Sequence, residues 1–156
     1  MYLAVSTVHG PVSLSVFKED VGVLTTVLPS TYDVQENLHN ELETFLSSVS
    51  VSLADLSAIG IVAGPGSYTG VRLGVSVVKT IAQIYSTPLI SVSTFDLIAH
   101  SLTRSHSLVF AVLPGRKNEL NISLYGLDGG VVNSLSQSFS LSVDSFIAFL
   151  SVVQEP

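Results

Sequence analysis

Apolar and polar residues alternate loosely along the first 28 residues of the chain. Three runs rich in β-forming residues, at 2–8, 12–17 and 21–28, are separated by the breaks His9-Gly10-Pro11 and Glu19-Asp20. Short alternating runs joined by tight turns are typical of antiparallel strands. The pattern therefore predicts a three-stranded antiparallel meander.

A helical period replaces this alternation further along the chain. Apolar side chains recur at spacings i, i+4, i+7, i+8 and i+11, at Leu38, Leu42, Phe45, Leu46 and Val49. This spacing puts them on one face and predicts an amphipathic helix over residues 33–49, with Asp33 as its N-cap. Ser52 and Asp55 have the spacing of a capping box and predict one further helical turn.

The strongest helix signal covers residues 71–85, after a short apolar strand predicted at 58–63. Its apolar residues form two stripes, separated by a narrow polar stripe that consists of Arg72, Ser76, Lys79 and Gln83. A helix that is apolar on two sides is mostly buried. We therefore expect one side to pack on a sheet and the other against a second helix, either in this chain or in a partner.

The rest of the chain repeats the same order of elements. A strand at 89–92 is followed by a helix that is capped by Ser93 or Thr94 and runs to about residue 104, and a boundary follows at 105–107. Strands are then predicted at 108–113, 120–127 and 131–135, followed by a helix at 143–152. Because the order βββ-α recurs, the sequence predicts an α/β protein with a first lobe at 1–104 and a smaller second lobe at 105–156.

The composition limits what this chain can do alone. Its 47% hydrophobic and 12% charged residues exclude disorder, and the mean hydropathy of +0.57 favours either a partner-covered surface or a weakly charged, serine-rich one. A net charge of −6 with six Lys and Arg argues against gripping a nucleic-acid backbone. Cysteine is absent, which excludes disulfides and thiolate nucleophiles. Without a signal-peptide pattern or a membrane-length apolar run, we expect a cytoplasmic protein with no membrane contact.

A glycine-rich loop joins the predicted strand at 58–63 to the helix that follows. It lacks the Lys-Ser/Thr of a P-loop, and Thr69 stands where the dinucleotide fingerprint needs its last glycine. The favoured interpretation is a tight turn that lets strand and helix pack closely. The alternative is an anion site built from loop amides with the Ser67 and Thr69 hydroxyls. The residues that define the loop are Gly64, Pro65, Gly66, Ser67, Tyr68, Thr69, Gly70, Arg72 and Gly74.

Patterns for catalysis or metal binding are missing elsewhere in the sequence. No G-x-S-x-G elbow occurs, and the four histidines (His9, His39, His100 and His106) are scattered without metal-ligand spacing. Asp96, near a predicted helix start, is expected to compensate the helix dipole. The adjacent pair Arg116-Lys117 is expected to lie in a solvated turn, with phosphate contact as the alternative. The sequence thus predicts neither a catalytic residue nor a metal ligand.

The run from Gly64 to Gly74 is similar, almost letter for letter, to the G-P-G-S-F-T-G-L-R-I-G-like hallmark of the TsaB family, also called YeaZ. The flanking segments 53–60 and 82–94 and the helix start Glu36-Asn37-Leu38 also resemble that family. The resemblance covers most of residues 1–104 and, more loosely, 108–126. It implies an actin-like, ribonuclease H-like (ASKHA) fold of βββαβα lobes, with the second lobe shortened here.

The same resemblance implies a non-catalytic scaffold subunit in the synthesis of threonylcarbamoyladenosine in tRNAs that read ANN codons. Such subunits pair with a homologous TsaD-like transferase through the two long helices of the first lobe, and they complete a complex with a TsaE-like ATPase. They also form homodimers through the same two helices. ATP and metal are then expected on the partner subunits, with no cofactor on this chain, and tRNA is expected to be met only through the complex. The implied interface residues are Leu38, Leu42, Phe45, Val71, Val75, Val78, Lys79, Ala82 and Gln83.

Two other functions stay open from the sequence. One is a small ATP-binding or phosphotransfer enzyme of the actin-like superfamily, using the glycine loop and Arg116. The other, less supported, is a glycoprotease-like peptidase, related to the M22 peptidases, that acts on the partner. Ser6-Thr7 stands where the first strand of the family usually ends in Asp-Thr, which argues against nucleotide hydrolysis. Pro114-Gly115-Arg116 retains only the arginine of the family's Asp-Ala-Arg turn.

Overall fold

The computed structural model describes residues 1–19, 21–29, 37–102, 108–128 and 130–153. The chain divides into two compact units, Met1–Thr94 and Phe95–Pro156, and each is built on its own sheet. The predicted N-cap Asp33 and the predicted boundary at 105–107 lie outside the described residues.

The first unit contains a five-stranded sheet in the order β3-β2-β1-β4-β5. Its first three strands form the predicted antiparallel meander, and β4 and β5 extend the sheet in parallel from β1. A 3-10 turn at Leu53–Asp55 confirms the predicted helical turn. The elements are β1 (Tyr2–Ser6), β2 (Val12–Lys18), β3 (Val21–Leu28), α1 (Leu38–Ser48), β4 (Ala58–Val62), α2 (Tyr68–Tyr85) and β5 (Leu89–Val92).

Helix α2 begins before its predicted start at residue 71. Ser67 is the N-cap, and its hydroxyl oxygen accepts a hydrogen bond of 3.3 Å from the Gly70 N–H. Serine is a preferred N-cap because its side chain satisfies an N–H that the helix leaves unpaired. The helical repeat of apolar residues does not include the first turn, Tyr68-Thr69-Gly70. A prediction from this repeat therefore places the start of the helix three residues too late.

The core of the first unit lies between one face of this sheet and the two helices. Alternate strand residues supply the sheet side, for example Leu3 and Val5 of β1, which are 1% and 2% exposed. Helix α1 contributes Leu42 and helix α2 contributes Val78, each 0% exposed. Alternate residues of the strands and the apolar residues at helical spacing therefore pack together in a single core.

The second unit contains a smaller sheet in which β7 is central. Strand β6 pairs with residues 120–125 of β7, and β8 and β9 share the opposite edge of β7. The prediction is confirmed for β6, β7, β8 and the last helix, but it missed β9. The elements are α3 (Thr94–His100), β6 (Val109–Pro114), β7 (Glu119–Asp128), β8 (Val131–Ser134), β9 (Phe139–Ser142) and α4 (Val143–Val153).

Strands β8 and β9 are two parts of one irregular strand with a bulge between them. Residues 135–138 lie opposite Ser123 and Leu124 of β7. The Leu135 N–H donates to the Leu124 carbonyl oxygen at 2.8 Å, and the Leu124 N–H donates to the Ser136 hydroxyl at 3.2 Å. The predicted strand ended at residue 135, before the polar run 136–138. In the structure the strand continues past this run, because the Ser136 hydroxyl takes the place of a backbone acceptor in the bulge.

The first two strands of each sheet pair in the same antiparallel way. In the first unit Leu3 pairs with Val16 and Ala4 with Ser15; in the second Phe110 pairs with Leu124 and Ala111 with Ser123. In each unit, a small pair therefore follows directly after a large apolar pair. The burial of these pairs is reversed, however: Leu3 and Val16 are buried in the first unit, whereas Ala111 and Ser123 are buried in the second. The recurrence therefore concerns the order of the elements, and no sequence repeat is visible.

The compact units divide at Thr94, whereas we predicted a lobe boundary at residue 104. Phe95 and Ala99 of α3, 2% and 0% exposed, pack with Val109, Ala111 and Tyr125 of the second sheet. The apolar side of α3 therefore belongs to the second unit. A boundary read from the polar run at 105–107 could not show on which sheet the preceding helix packs.

Candidate functional site

The glycine loop is fixed to the residues that follow β1. The Ser67 N–H donates to the Val8 carbonyl oxygen at 2.7 Å, and the Thr7 hydroxyl donates to the Gly70 carbonyl oxygen at 2.7 Å. Thr7 is 6% exposed and Val8 3%, so these contacts are buried. They join the loop to a segment 63 positions earlier in the chain.

Three glycines of the loop are required by this contact. A Cβ on Gly66 would lie 2.6 Å from the Val8 carbonyl oxygen, inside any normal contact distance. A Cβ on Gly70 would collide with the Thr7 carbonyl oxygen, and one on Gly74 with the Thr7 hydroxyl. The packing interpretation of the loop thus has a specific physical basis, because backbone and side chain of the Thr7–Val8 segment occupy the space that side chains would need.

The start of the loop is held from the other side by Thr94. Its N–H donates to the Gly64 carbonyl oxygen at 2.8 Å, and its hydroxyl donates to the Pro65 carbonyl oxygen at 2.7 Å. Gly64 has φ +102, a backbone conformation that residues other than glycine rarely adopt. Sequence reasoning proposed Thr94 only as a helix cap and did not connect it to the loop.

The solvent side of the loop carries Tyr68 and Arg72. Tyr68 is 74% exposed, and the Arg72 guanidinium lies 5.2 Å from its ring centroid. An Arg72 N–H also donates to the Tyr68 hydroxyl at 2.7 Å. The two side chains, one helical turn apart, hold each other in place on the surface. Thr69 is exposed beside them.

The structure corrects part of the predicted interface. Five of the nine residues are buried in the chain's own core, so they support the helices from inside: Leu38, Leu42, Phe45, Val78 and Ala82. The other four remain at the surface: Val71 and Val75 are half-buried, and Lys79 and Gln83 are exposed. An apolar period marks buried positions, but it does not distinguish burial in the same chain from burial against a partner.

The sequence did not reveal a groove that lies between α1 and α2. Its volume is about 400 Å³, and Ile84, 70% exposed, stands at its rim. The second apolar stripe of α2 consists of Leu73, Val77, Ile81 and Ile84. Its last three members line this groove, and Ile81 is at the same time part of the core. The lining residues are His39, Glu43, Leu53, Ser76, Val77, Thr80, Ile81, Ile84 and Tyr85. That stripe was the signal available in the sequence.

The other candidate residues are the Arg116-Lys117 pair, Asp96 and the four histidines, of which His39 lines the groove. Arg116 and Lys117 are exposed in the turn between β6 and β7. Asp96 accepts a hydrogen bond of 2.7 Å from the Tyr125 hydroxyl, a pairing that its position near a helix start did not suggest. Burial, together with this bond, raises the pKa of Tyr125. His9, His39 and His100 are exposed, and His106 lies outside the described residues.

Within the described ranges, no three His, Asp or Glu side chains come together as metal ligands would. No helix in the same ranges is long and apolar enough to cross a membrane.

Comparison with known families identifies the fold around this loop. The model of the family "TsaD: tRNA N6-adenosine threonylcarbamoyltransferase" matches residues 29–149. The TsaB protein of Bacillus subtilis, a "tRNA threonylcarbamoyladenosine biosynthesis protein", is 24% identical over 156 residues, which cover 99% of this chain and 67% of the relative. The chain belongs to this family, in its TsaB/YeaZ branch. The resemblance given by the glycine loop is thereby confirmed.

Further TsaB/YeaZ relatives agree with this assignment. The TsaB protein of Escherichia coli is 32% identical over 89 residues, which cover 56% of this chain and 38% of that relative. YeaZ from Pseudomonas aeruginosa has a TM-score of 0.77 at 24% identity, over 90% of this chain and 66% of its own. Together with the family match, the YeaZ structure confirms the predicted actin-like fold. The chain spans about two thirds of the length of the Bacillus subtilis and Pseudomonas aeruginosa proteins and less of the Escherichia coli one.

Proposed function

We propose that this TsaB/YeaZ chain is a non-catalytic subunit in the synthesis of threonylcarbamoyladenosine in tRNA. Its role is to bind a TsaD-like threonylcarbamoyltransferase and hold it in its active form. The observation that carries the proposal is the exposed α1–α2 groove, which is lined in part by the helix that follows the family's glycine loop. The pathway is inferred from the relatives, which are tRNA threonylcarbamoyladenosine biosynthesis proteins and a tRNA N6-adenosine threonylcarbamoyltransferase.

The α1–α2 face has the properties of a docking surface. Ile84 and Tyr85 are 70% and 43% exposed at one end of α2, and Leu73 and Val77 are half-buried along it. Covering such side chains contributes about 25 cal/mol per Å² of apolar area. The exposed polar residues of α2, Lys79 and Gln83 among them, then fix orientation at the edge of the contact.

The glycine loop supports the scaffold in this proposal and does not bind a nucleotide. Thr7 and Val8 fill the space in front of Gly66, Gly70 and Gly74. This close packing argues against the alternative of an ATP-binding enzyme that uses the loop. We therefore place ATP and metal on the partner subunits, and tRNA contact in the assembled complex.

The assembly includes, in this proposal, a TsaE-like ATPase as a third component. The same α1–α2 face also forms homodimers of this chain when the transferase is absent. A homodimer and a transferase complex then exclude each other, because both cover the same groove.

The test is reconstitution of the modification with purified proteins. The chain is combined with the TsaD-like and TsaE-like proteins of the same organism, and threonylcarbamoyladenosine in tRNA is measured by mass spectrometry. We expect Ile84→Asp to weaken binding of the transferase at least tenfold and to lower product formation. Leu24→Asp, on β3 and 52% exposed, is the matched control and leaves both unchanged.

Each result has a defined meaning. Product formation that does not depend on the chain contradicts the proposed function. Dependence on the chain with full activity of Ile84→Asp contradicts the assignment of the face. A calorimetric titration with ATP and magnesium is expected to give no heat; a Kd below about 0.1 mM, equivalent to about −5.5 kcal/mol, would restore the nucleotide-binding alternative.

A further inference from the structure

The α1–α2 groove combines an apolar floor with one carboxylate. Leu53, Val77 and Ile84 supply aliphatic surface, and Ser76 and Thr80 add hydroxyls on the α2 side. Glu43 lies on the α1 side and is exposed, one helical turn after His39. No lysine or arginine is among the described residues that line the groove.

Charge is divided between the two helices that form the groove. Over its described length, Leu38–Ser48, α1 carries Glu41 and Glu43 and neither lysine nor arginine. Helix α2 carries Arg72 and Lys79 and neither aspartate nor glutamate. These two cations lie outside the groove lining, and the Arg72 guanidinium is already bound to Tyr68. The groove is thus a negative site bordered by aliphatic side chains.

We propose that the transferase partner inserts one basic side chain, lysine or arginine, from a helix into this groove. The aliphatic stem of that side chain lies along Val77 and Ile84, and its cation meets the Glu43 carboxylate. Lysine and arginine suit such a site because their long stems bury against apolar surface while the charge reaches a polar partner. The inference rests on the proposed function and deepens it by naming the chemistry of the partner's surface.

Charge complementarity makes Glu43 a specificity residue of the interface. An apolar floor alone would bind any helix with an aliphatic face. The Glu43 carboxylate at the side of the groove favours a helix with a basic side chain and disfavours one with an acidic side chain. A helix laid along the groove between α1 and α2 follows a common mode of recognition, in which anchors project from one face.

The first test is the affinity of the full chain for the TsaD-like transferase of the same organism. We expect Glu43→Gln to raise Kd about tenfold, equivalent to about 1.4 kcal/mol, and to reduce the salt dependence of binding. Glu41→Gln is the matched control, because two residues in a helix are about 200° apart around its axis and Glu41 is not in the groove lining. We expect Glu41→Gln to change Kd less than twofold.

The outcomes separate this inference from the proposed function. Binding of the wild-type chain that Glu43→Gln leaves unchanged overturns the inference and leaves the proposed function standing. Absence of binding by the wild-type chain overturns both. Loss of self-association, seen by sedimentation, with unchanged transferase binding in Glu43→Gln assigns the groove to a second copy and also overturns the inference.

A second test identifies the inserted side chain directly. The chain contains no cysteine, so His39→Cys creates a single attachment point in the groove for a photo-crosslinker while keeping Glu43. We expect mass spectrometry to find the crosslink on a helical segment of the transferase that contains lysine or arginine. A crosslink to a segment without either residue, or to a second copy of this chain, overturns the inference.

Discussion

The Thr7 hydroxyl donates a buried hydrogen bond of 2.7 Å to the carbonyl oxygen of Gly70, in the first turn of α2. The same threonine lies where side chains on Gly70 and Gly74 would have to be. One residue after β1 therefore sets how closely the family's glycine loop and helix approach the sheet. This close approach by itself accounts for the glycines at positions 70 and 74.

The first prediction concerns the two glycines that face Thr7. Gly74→Ala is expected to destabilise the chain by about 1–3 kcal/mol, as overpacking does, because its Cβ meets the Thr7 side chain. Thr7→Ala removes the obstructing atoms, so the double variant should lose less stability than the sum of the single changes. Chemical denaturation followed by circular dichroism measures the three free energies of unfolding.

Gly70→Ala is the control for this cycle. Its Cβ would meet the Thr7 carbonyl oxygen, which is backbone and survives any side-chain change. Thr7→Ala should therefore not rescue Gly70→Ala. Equal rescue at both glycines would contradict the packing described for Thr7.

The sequence was sufficient for much of the fold, because the relevant signals are local. Alternation and turn residues predicted β1, β2 and β3, and apolar spacing predicted α1 and α2. The position of Thr7 against Gly70 was not accessible in this way, since the two residues are 63 positions apart and no periodicity relates them. Strand β9 was missed because the bulge around Ser136 interrupts the alternation that marks a strand.

The candidate site was predicted only in outline. The eleven-residue loop identified the family, but apolar spacing could not separate Val78, at 0% exposure, from Ile84, at 70%. Both positions have the chemistry of a contact surface, and only the packed structure shows which one faces the chain's own sheet. The groove depends on α1 and α2 lying side by side, a tertiary fact that neither helix encodes alone.

The second prediction separates these two positions of α2. Val78→Asp buries a carboxylate without a partner in the core and is expected to cost at least about 3 kcal/mol, or to prevent folding. Ile84→Asp places the same charge on the surface and should change the free energy of unfolding by no more than about 0.5 kcal/mol. Thermal unfolding of the two variants is the measurement. Similar stabilities would contradict the burial assigned to Val78.

The third prediction concerns the bulge between β8 and β9. Ser136→Ala removes the acceptor for the half-buried Leu124 N–H. We expect a loss of about 1 kcal/mol, because the N–H loses its protein partner. Ser138→Ala, an exposed serine in the same bulge, is the control and should be nearly neutral. Hydrogen exchange of the Leu124 amide should also accelerate in Ser136→Ala, and unchanged protection would argue against this bond.

The fourth prediction uses the cap of the 3-10 turn. The Asp55 carboxylate accepts hydrogen bonds from the Ser52 N–H at 2.9 Å and the Ser52 hydroxyl at 2.8 Å. These bonds lower the pKa of Asp55 below its ordinary value of 3.8. The pKa of Asp55 is lower in the folded chain than in the unfolded one. The stabilisation of the folded chain by this cap is therefore complete above pH 3.8 and is lost as the pH falls through the folded-state pKa.

Asp55→Asn tests this dependence. The difference in melting temperature between the wild-type chain and the variant should be largest above pH 3.8 and should shrink in more acidic solution. An unchanged difference down to strongly acidic pH would contradict the link between the cap and the Asp55 charge. Glu43→Gln, a carboxylate change at another exposed helical position, controls for general charge effects.

The last prediction concerns Tyr125 in the second unit, whose hydroxyl donates to Asp96 at 2.7 Å. Tyr125→Phe keeps the ring in the core and removes this bond, so we expect a loss of about 1.5–3 kcal/mol, the range for a hydrogen bond to a charged group. Burial and Asp96 raise the pKa of Tyr125 above 10.0. The stabilisation of the folded chain by the protonated Tyr125 hydroxyl is therefore complete below pH 10 and declines as the pH rises through the folded-state pKa. The alkaline decline should therefore be weaker in Tyr125→Phe. Denaturation at pH 7 and near pH 11 compares the two proteins, and an identical alkaline decline would show that the Tyr125 hydroxyl is not the group that titrates.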